Sequence, residues 1–513
     1  MKILASIICL NLCLSIHGQK NLFSIIDYGA VPDGHSLNTS PIQKAIDACF
    51  AKGGGTVYVP AGSYLTGTLS LRSNVNLHLE SGAELKGSSN LEDYRSYNIP
   101  EFGTYQNGIL FTENAENVSI TGFGTINGND TAFFEWDKAK KIDTAATKFT
   151  RQGNQYRKVF SGIGDGPVVP KDRPRQMIVF SNCRNVTVKD VKLVRSPFWT
   201  LHFADCDAVL VSGIKLWTHM LVPNADGIDV TSCTNLVITD CDIRSGDDGI
   251  AITGFAYHYE MAGFHNRRHI SENITVNNCN IQSYSCAVRI GFFDQNTVRN
   301  VQVTNVNISN STRGIGIFLR DEGSLENLSF SNMNIETQMH TGDWWGNGEP
   351  IHVSATRGKE NLTLGKIKNV RFTNINCRGE NGLLLMGSDE SIIEDVAFNG
   401  IRLDLVDSKL NEVAGGNVDL RGVLGPYNGL IKRDIPGLLV EYAKNVTVND
   451  FTLNWTNTHQ PYFTHGIEAN HFANLNVTKF NGYASPSATH AARIYVEKGA
   501  GFRVDNNKGV VQK

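Results

Sequence analysis

The chain is 513 residues long and carries a formal net charge of −3. That length ordinarily implies two or three compact domains, unless the chain is a solenoid whose core grows along one dimension. The near-balance of charge excludes the basic face of a nucleic-acid binder and leaves a carbohydrate partner open.

In chain order, Met1-Lys2 precedes an apolar run from Ile3 to Ile16, and His17-Gly18-Gln19 follows. A short basic start, an apolar stretch of this length and a small residue at its end predict a secretory leader over residues 1–18. The protein is therefore expected outside the cytoplasm, secreted or periplasmic. The run is shorter than the roughly 20 apolar residues of a membrane span, and no later stretch is longer. Leu12 before Cys13 is not the small residue that lipid attachment favours.

Residues 19–85 read as an N-terminal cap and first rungs. Ser40-Pro41 predicts a helix start, with Ser40 as N-cap and Pro41 at the first position. Ile42, Ala45, Ile46, Cys49 and Phe50 follow with helical spacing. This helix is expected to cover the open end of a repetitive core. Gly53-Gly54-Gly55 ends it. That run lacks a following Lys-Ser/Thr and lies after the helix, so it is not a phosphate loop.

The remainder, residues 86–513, is expected to form the catalytic domain, and it repeats around one anchor position. Asparagine holds it at 117, 185, 235, 273, 300, 327, 369, 445 and 474, Ala208 and Asp395 elsewhere. Steps of 27 recur (208 to 235, 273 to 300, 300 to 327), while 235 to 273 takes 38 and 327 to 369 takes 42. Such a period marks a solenoid, with the excess length in loops. After each anchor comes a short alternating run, as in Val186-Thr187-Val188 or Val301-Gln302-Val303, which is the strand signal. Short strands without crossover helices predict an all-β, right-handed parallel β-helix with a short N-terminal capping helix.

Ten cysteines in an exported chain invite a disulfide reading. Cys9 and Cys13 lie in the leader. Cys241 and Cys279 share one repeat slot with Val191, Ile214, Val306, Met333 and Ile375, and Cys183, Cys206 and Cys233 form a second column. Cysteine alternating with aliphatic residues is expected as a small core hydrophobe. No paired CxxC suggests zinc, and neither metal nor cofactor is expected. The Asn-x-Ser/Thr triplets at the anchors are better read as turn asparagines than as glycan sites.

Chemistry concentrates in two adjacent repeats, Asn224-Ala225-Asp226-Gly227-Ile228-Asp229 and Ser245-Gly246-Asp247-Asp248-Gly249-Ile250. The step from 226 to 247 is taken as one rung, which places these aspartates side by side. Clustered carboxylates repel one another unless protonated, metal-bound or functional. Glycosidases need one carboxylic acid for the leaving oxygen and one carboxylate for water. Asp-Gly pairs also make plain turns, which explains one such repeat better than two in succession.

These residues resemble glycoside hydrolase family 28, the polygalacturonases. Asp27-Tyr28-Gly29-Ala30, Val59-Pro60-Ala61-Gly62, Arg173-Pro174 and Ser196-Pro197-Phe198-Trp199 belong to the resemblance, which runs to about residue 335. The Asn-Thr-Asp motif stands as Asn224-Ala225-Asp226, and Gly246-Asp247-Asp248 is intact. The resemblance implies Asp247 as general acid, Asp226 and Asp248 as the residues that position and deprotonate water, and inversion at the anomeric carbon. Inverting pairs stand roughly 6.5–9.5 Å apart.

Two positions depart from the family. Its Gly-His-Gly falls on Ser285-Cys286-Ala287, and its Arg-Ile-Lys falls on Gly316-Ile317-Phe318. The cations that hold the substrate carboxylate are thus replaced. Arg289, Arg313 and Arg320 on neighbouring rungs, and Arg267 and Arg268 in a Tyr- and His-rich insert near residues 254–270, are the candidate substitutes. Asp343-Trp344-Trp345-Gly346-Asn347-Gly348-Glu349 predicts a sugar-stacking lid. The expected substrate-binding set is Asn224, Arg289, Arg320, Trp344 and Trp345. Asp321, Glu322 and Glu349 are the alternative carboxylates. The leading reading is an inverting hydrolase of a pectic or other acidic glycan. A β-helix polysaccharide lyase, with calcium at the aspartates, and a non-catalytic glycan-binding β-helix are the competitors.

Overall fold

The computed structural model describes residues 21–99, 103–255, 270–293, 295–423 and 429–513. The leader, and Arg267 and Arg268 in the first insert, lie outside them. Among the described residues no helix is long and apolar enough to cross a membrane.

The chain is a parallel β-helix. A middle turn holds three strands, Ile228–Thr231, Thr234–Thr239 and Asp242–Ser245. Each pairs in parallel with its counterpart in the turn before, Leu201–Ala204, Asp207–Ser212 and Lys215–Trp217. Each also pairs with its counterpart in the turn after, Ile250–Phe255, Ser271–Asn277 and Asn280–Ser283. Alternate residues along each strand point inward, so Val186 and Val188, Leu236 and Ile238, Val301 and Val303 all sit in one continuous core.

The anchor residues explain how each turn closes. All eleven, from Asn117 to Asn474, adopt a left-handed backbone with φ between 54° and 59°. Asparagine tolerates that conformation. Its side-chain amide then bonds to the rung below: Asn273 Nδ2 donates to Asn235 Oδ1 (3.2 Å), Asn300 to Asn273 (3.1 Å), Asn327 to Asn300 (3.1 Å) and Asn369 to Asn327 (2.7 Å).

Inside, like stacks on like. Phe180 lies on Phe203 at 5.6 Å, and Phe330, Phe372 and Phe398 stack at 5.4 and 5.0 Å. The slot of Val191, Ile214, Cys241, Cys279, Val306, Met333 and Ile375 is buried throughout. All eight described cysteines are free and buried. Cys206 and Cys233 donate their thiols to the carbonyls of Phe180 (3.2 Å) and Phe203 (3.4 Å), as small core residues with weak donors do.

The helix Thr39–Ala51 packs Ile42, Ala45, Ile46 and Cys49 over the first rungs. Two details differ from expectation. The N-cap is Asn38, not Ser40. The Asn38 side chain makes no cap bond, because the preceding loop consumes it: it accepts from Val31 N and donates to the carbonyls of Val31 and Ser36. Phe50, expected on the buried stripe, is 48 % exposed.

Candidate functional site

Four successive rungs build the site. Main-chain bonds hold their entry turns in line: Thr200 N–H donates to Asp226 O (2.9 Å), Gly227 N–H to Asp248 O (2.8 Å) and Gly249 N–H to Cys286 O (2.9 Å). A Cβ at Gly227 would lie 2.3 Å from Gly249 O, and one at Gly249 would lie 2.5 Å from Ala287 O. The glycine after each aspartate is therefore required by close backbone approach between rungs.

The rung step here is 22 residues, since Ile228 pairs with Ile250. This corrects the step of 21 taken from the sequence. Asp226 stacks on Asp248, and Asp247 is set beside that pair at the level of Ala225. One oxygen from each of Asp226, Asp247 and Asp248 lies within 4.8 Å of the others. These are the nearest oxygens of three side chains, a closer measure than the 6.5–9.5 Å between the carboxyl groups of an inverting pair. The entry turns hold the two motifs in direct register.

Each carboxylate has a different environment. Asp247 is partly exposed. It accepts from Asn224 N–H at Oδ2 (2.9 Å) and from the Ser285 hydroxyl. Burial, and then the charge of Asp248, push its proton affinity up to about 6. Asn224 can present its N–H this way because its backbone is left-handed, with φ 57°. Its side-chain oxygen accepts from Arg173 (3.0 Å), which also binds the Pro197 and Pro223 carbonyls. Asp248 accepts from Cys286 N–H (3.1 Å) and from Arg289 Nε. Asp226 and Asp229 are buried, each with one carboxylate oxygen lacking a hydrogen-bond partner. Burial, reinforced by neighbouring carboxylates, holds both well above the usual carboxylate range. Arg289 opposes that shift at both groups.

Asp226, Asp247, Asp248 and Arg289 floor a cleft, and Asp229 lies outside its lining. Trp344 and Trp345 line it as well, on a loop fixed from behind. Trp344 is buried and donates its indole N–H to Asp165 O (2.9 Å). Trp345 is partly exposed, with its ring 5.5 Å from Phe292. Phe318 and Trp199 complete the aromatic wall.

Arg320 is a correction to the expected substrate-binding set. It is fully buried and donates to Leu319 O, Ser354 O, Ser354 Oγ and Leu420 O, away from the cleft. Burial lowers its affinity for a proton to about 9. Glu349 is likewise fully buried, 3.6 Å from Arg313, and neither it nor Asp321 or Glu322 lines the cleft. Arg313 does line it.

Sequence reasoning missed the clamp behind the tryptophans. Asp419 accepts from Gly346 N–H (2.8 Å) and pairs with Arg421 (2.8 Å). Arg421 donates to Asp343 (2.9 Å) and to Trp344 O (2.7 Å). Lys140, from a far upstream loop, pairs with the other Asp343 oxygen (3.0 Å). These partners are 73 to 203 residues from the loop they hold, so no local pattern announces them.

Fold and site together define a cluster of three carboxylates on a parallel β-helix, at the floor of a cleft with aromatic walls. The chain belongs to the glycosyl hydrolases family 28, whose model matches residues 49–418. A probable polygalacturonase of Vitis vinifera is 28 % identical over 281 residues, covering 52 % of this chain and 51 % of that protein. An exo-poly-alpha-D-galacturonosidase of Dickeya chrysanthemi is 28 % identical over 256 residues, covering 45 % and 41 %. The chain thus spans about half the length, or less, of these curated relatives. The fold is shared with a family 28 exopolygalacturonase of Yersinia enterocolitica (TM-score 0.64, 18 % identity, 90 % of this chain and 78 % of that one). It is also shared with a hyperthermoactive exopolygalacturonase of Thermotoga maritima (TM-score 0.57, 22 % identity, 83 % and 91 %).

Proposed function

We propose that this protein is an inverting glycoside hydrolase of a pectic or other acidic polysaccharide or oligosaccharide, polygalacturonase- or exo-galacturonidase-like, exported by its leader. The observation that carries this reading is the asymmetry of the three aspartates. Asp247 keeps a proton up to about pH 6 and is partly open to the cleft, as a general acid must be. Asp248 sits against Arg289 and is the base. Asp226, stacked on Asp248, helps to hold the attacking water between them.

In this mechanism Asp247 protonates the glycosidic oxygen as the bond to the anomeric carbon breaks. Water held by Asp226 and Asp248 attacks the opposite face, and Asp248 takes its proton. Asn224 and Ser285 aim Asp247, and Trp345 offers a ring face to the sugar.

The lyase reading is less favoured. It wants a free arginine or lysine as base, and the described cations lining the cleft are each paired with a carboxylate. Digestion of polygalacturonate and a panel of pectic fragments tests the reading. New reducing ends without unsaturated-uronate absorbance support it. Absorbance gain selects the lyase, and binding without turnover selects a glycan-binding protein.

A further inference from the structure

We infer that Lys140 holds a carboxylate of the glycan in this cleft, in place of the cations that Gly316-Ile317-Phe318 lacks. The inference rests on the acidic-glycan hydrolase reading and names a residue that sets its specificity. Three observations carry it.

First, Lys140 is accessible. The strand Phe134–Ala139 pairs antiparallel with Val168–Pro170. The next residue, Lys140, donates its N–H to Pro167 O (2.7 Å), and both residues line the cleft. Three described cations stand in that lining: Lys140, Arg289 and Arg313. The side chain of Lys140 is 50 % exposed, against 12 % for Arg289 and 2 % for Arg313. An ammonium carries three donors. Asp343 Oδ2, at 3.0 Å, engages one of them, and a half-exposed group can turn another to a ligand.

Second, sharing Lys140 strands no buried charge. Arg421 donates to the other oxygen of Asp343 (2.9 Å) and is itself paired with Asp419 (2.8 Å). Asp343 therefore keeps a cation of its own when Lys140 takes a second anion. Removing one partner of a buried pair is costly, whereas an exposed lysine pair is held weakly. The two arginines are placed the opposite way. Arg289 is the cation of the buried Asp248, and Arg313 lies between the buried Glu349 (3.6 Å) and Asp419 (3.8 Å).

Third, charge and stacking converge on Lys140. The aspartates on the floor repel an incoming carboxylate. Asp343, which holds Lys140, directly precedes Trp344 and Trp345, and the partly exposed Trp345 lines the cleft. A sugar laid on that ring has the Lys140 ammonium on the same loop's partner. A carboxylate there gains a charge-assisted hydrogen bond.

The test compares trigalacturonate with its fully methyl-esterified form, on the wild type and on Lys140→Met. The readout is kcat/KM on the acid divided by kcat/KM on the ester. Lys140→Met is expected to lower that ratio by about tenfold or more, mostly through KM on the acid, because one charge-assisted bond is lost on that probe alone. Circular dichroism of the variant should match the wild type. Calorimetric binding of both probes to Asp247→Asn, with and without Lys140→Met, gives the corresponding ratio of affinities without turnover. A ratio that Lys140→Met leaves unchanged overturns the inference and assigns the carboxylate to another cation. Equal losses on acid and ester overturn it too, and make Lys140 a support of the tryptophan loop instead. If neither probe is cleaved, the hydrolase reading fails on this glycan, and the calorimetric ratio alone decides the inference in the same sense. Absence of binding by both probes overturns it.

Discussion

Replacing Asp247 by asparagine is expected to move activity and stability in opposite directions. The asparagine keeps the size of the side chain and removes both the proton and the charge. Loss of general-acid catalysis lowers kcat by about 10²- to 10⁴-fold. For stability, the folded chain binds the Asp247 proton more tightly than the unfolded chain does. The affinity rises from the ordinary 3.8 to about 6. The folded state therefore gains most at low pH, and that gain is lost as pH rises from about 4 to about 6. At about 1.4 kcal/mol per pH unit, the swing is about 3 kcal/mol. The unfolding free energy of Asp247→Asn minus that of wild type should thus be about 3 kcal/mol more favourable at pH 8 than at pH 4. Sharing of protons with Asp226 makes this an upper value. Denaturant unfolding followed by circular dichroism at both pH values measures the difference. A variant equally offset from wild type at pH 4 and pH 8 would refute the protonation state assigned to Asp247.

Three further outcomes follow from the same geometry. In the wild type, kcat/KM should fall as pH rises through about 6, because the acid must be protonated; a rate flat from pH 5 to pH 8 would contradict this. Arg289→Gln leaves the buried Asp248 carboxylate without its paired cation, which costs the site its base geometry and charge balance. Steady-state assays should show kcat lower by about 100-fold or more, and a loss under threefold would show that the pair is dispensable. On the asparagine ladder, Asn300→Val should cost about 2–3 kcal/mol, because a branched residue must adopt a left-handed backbone and two ladder bonds disappear. Asn300→Gly should cost about 1 kcal/mol, and equal denaturant midpoints for the two variants would remove backbone conformation as the cause.

The solenoid was legible because its physics is local and repeated. An anchor asparagine closes each turn, a two-residue alternation follows, and the same apolar slot returns on every rung. The same features mark the cysteine columns as core, and all of these cysteines are buried. The aspartate motifs were legible for the same reason, since each sits at a fixed place in its own repeat. Register was not. One residue of slip put Asp247, in place of Asp248, opposite Asp226, because main-chain bonds between turns set the alignment and leave no mark on composition. Arg320 misled because alternation alone says which way a residue leaves the strand, not what later covers it. Leu420 and the segment around it arrive 100 residues downstream and bury its guanidinium. The clamp of Asp419 and Arg421 on the tryptophan loop was invisible in the same way.

The most direct test of the central claim is digestion of the preferred pectic fragment in ¹⁸O-labelled water, with mass spectrometry of the products from wild type and Asp247→Asn. The account predicts one labelled oxygen at each new reducing end in the wild type and almost no product from the variant. Cleavage without label, or unchanged labelled product from Asp247→Asn, would contradict the assignment of Asp247 as the acid of a water-using hydrolase.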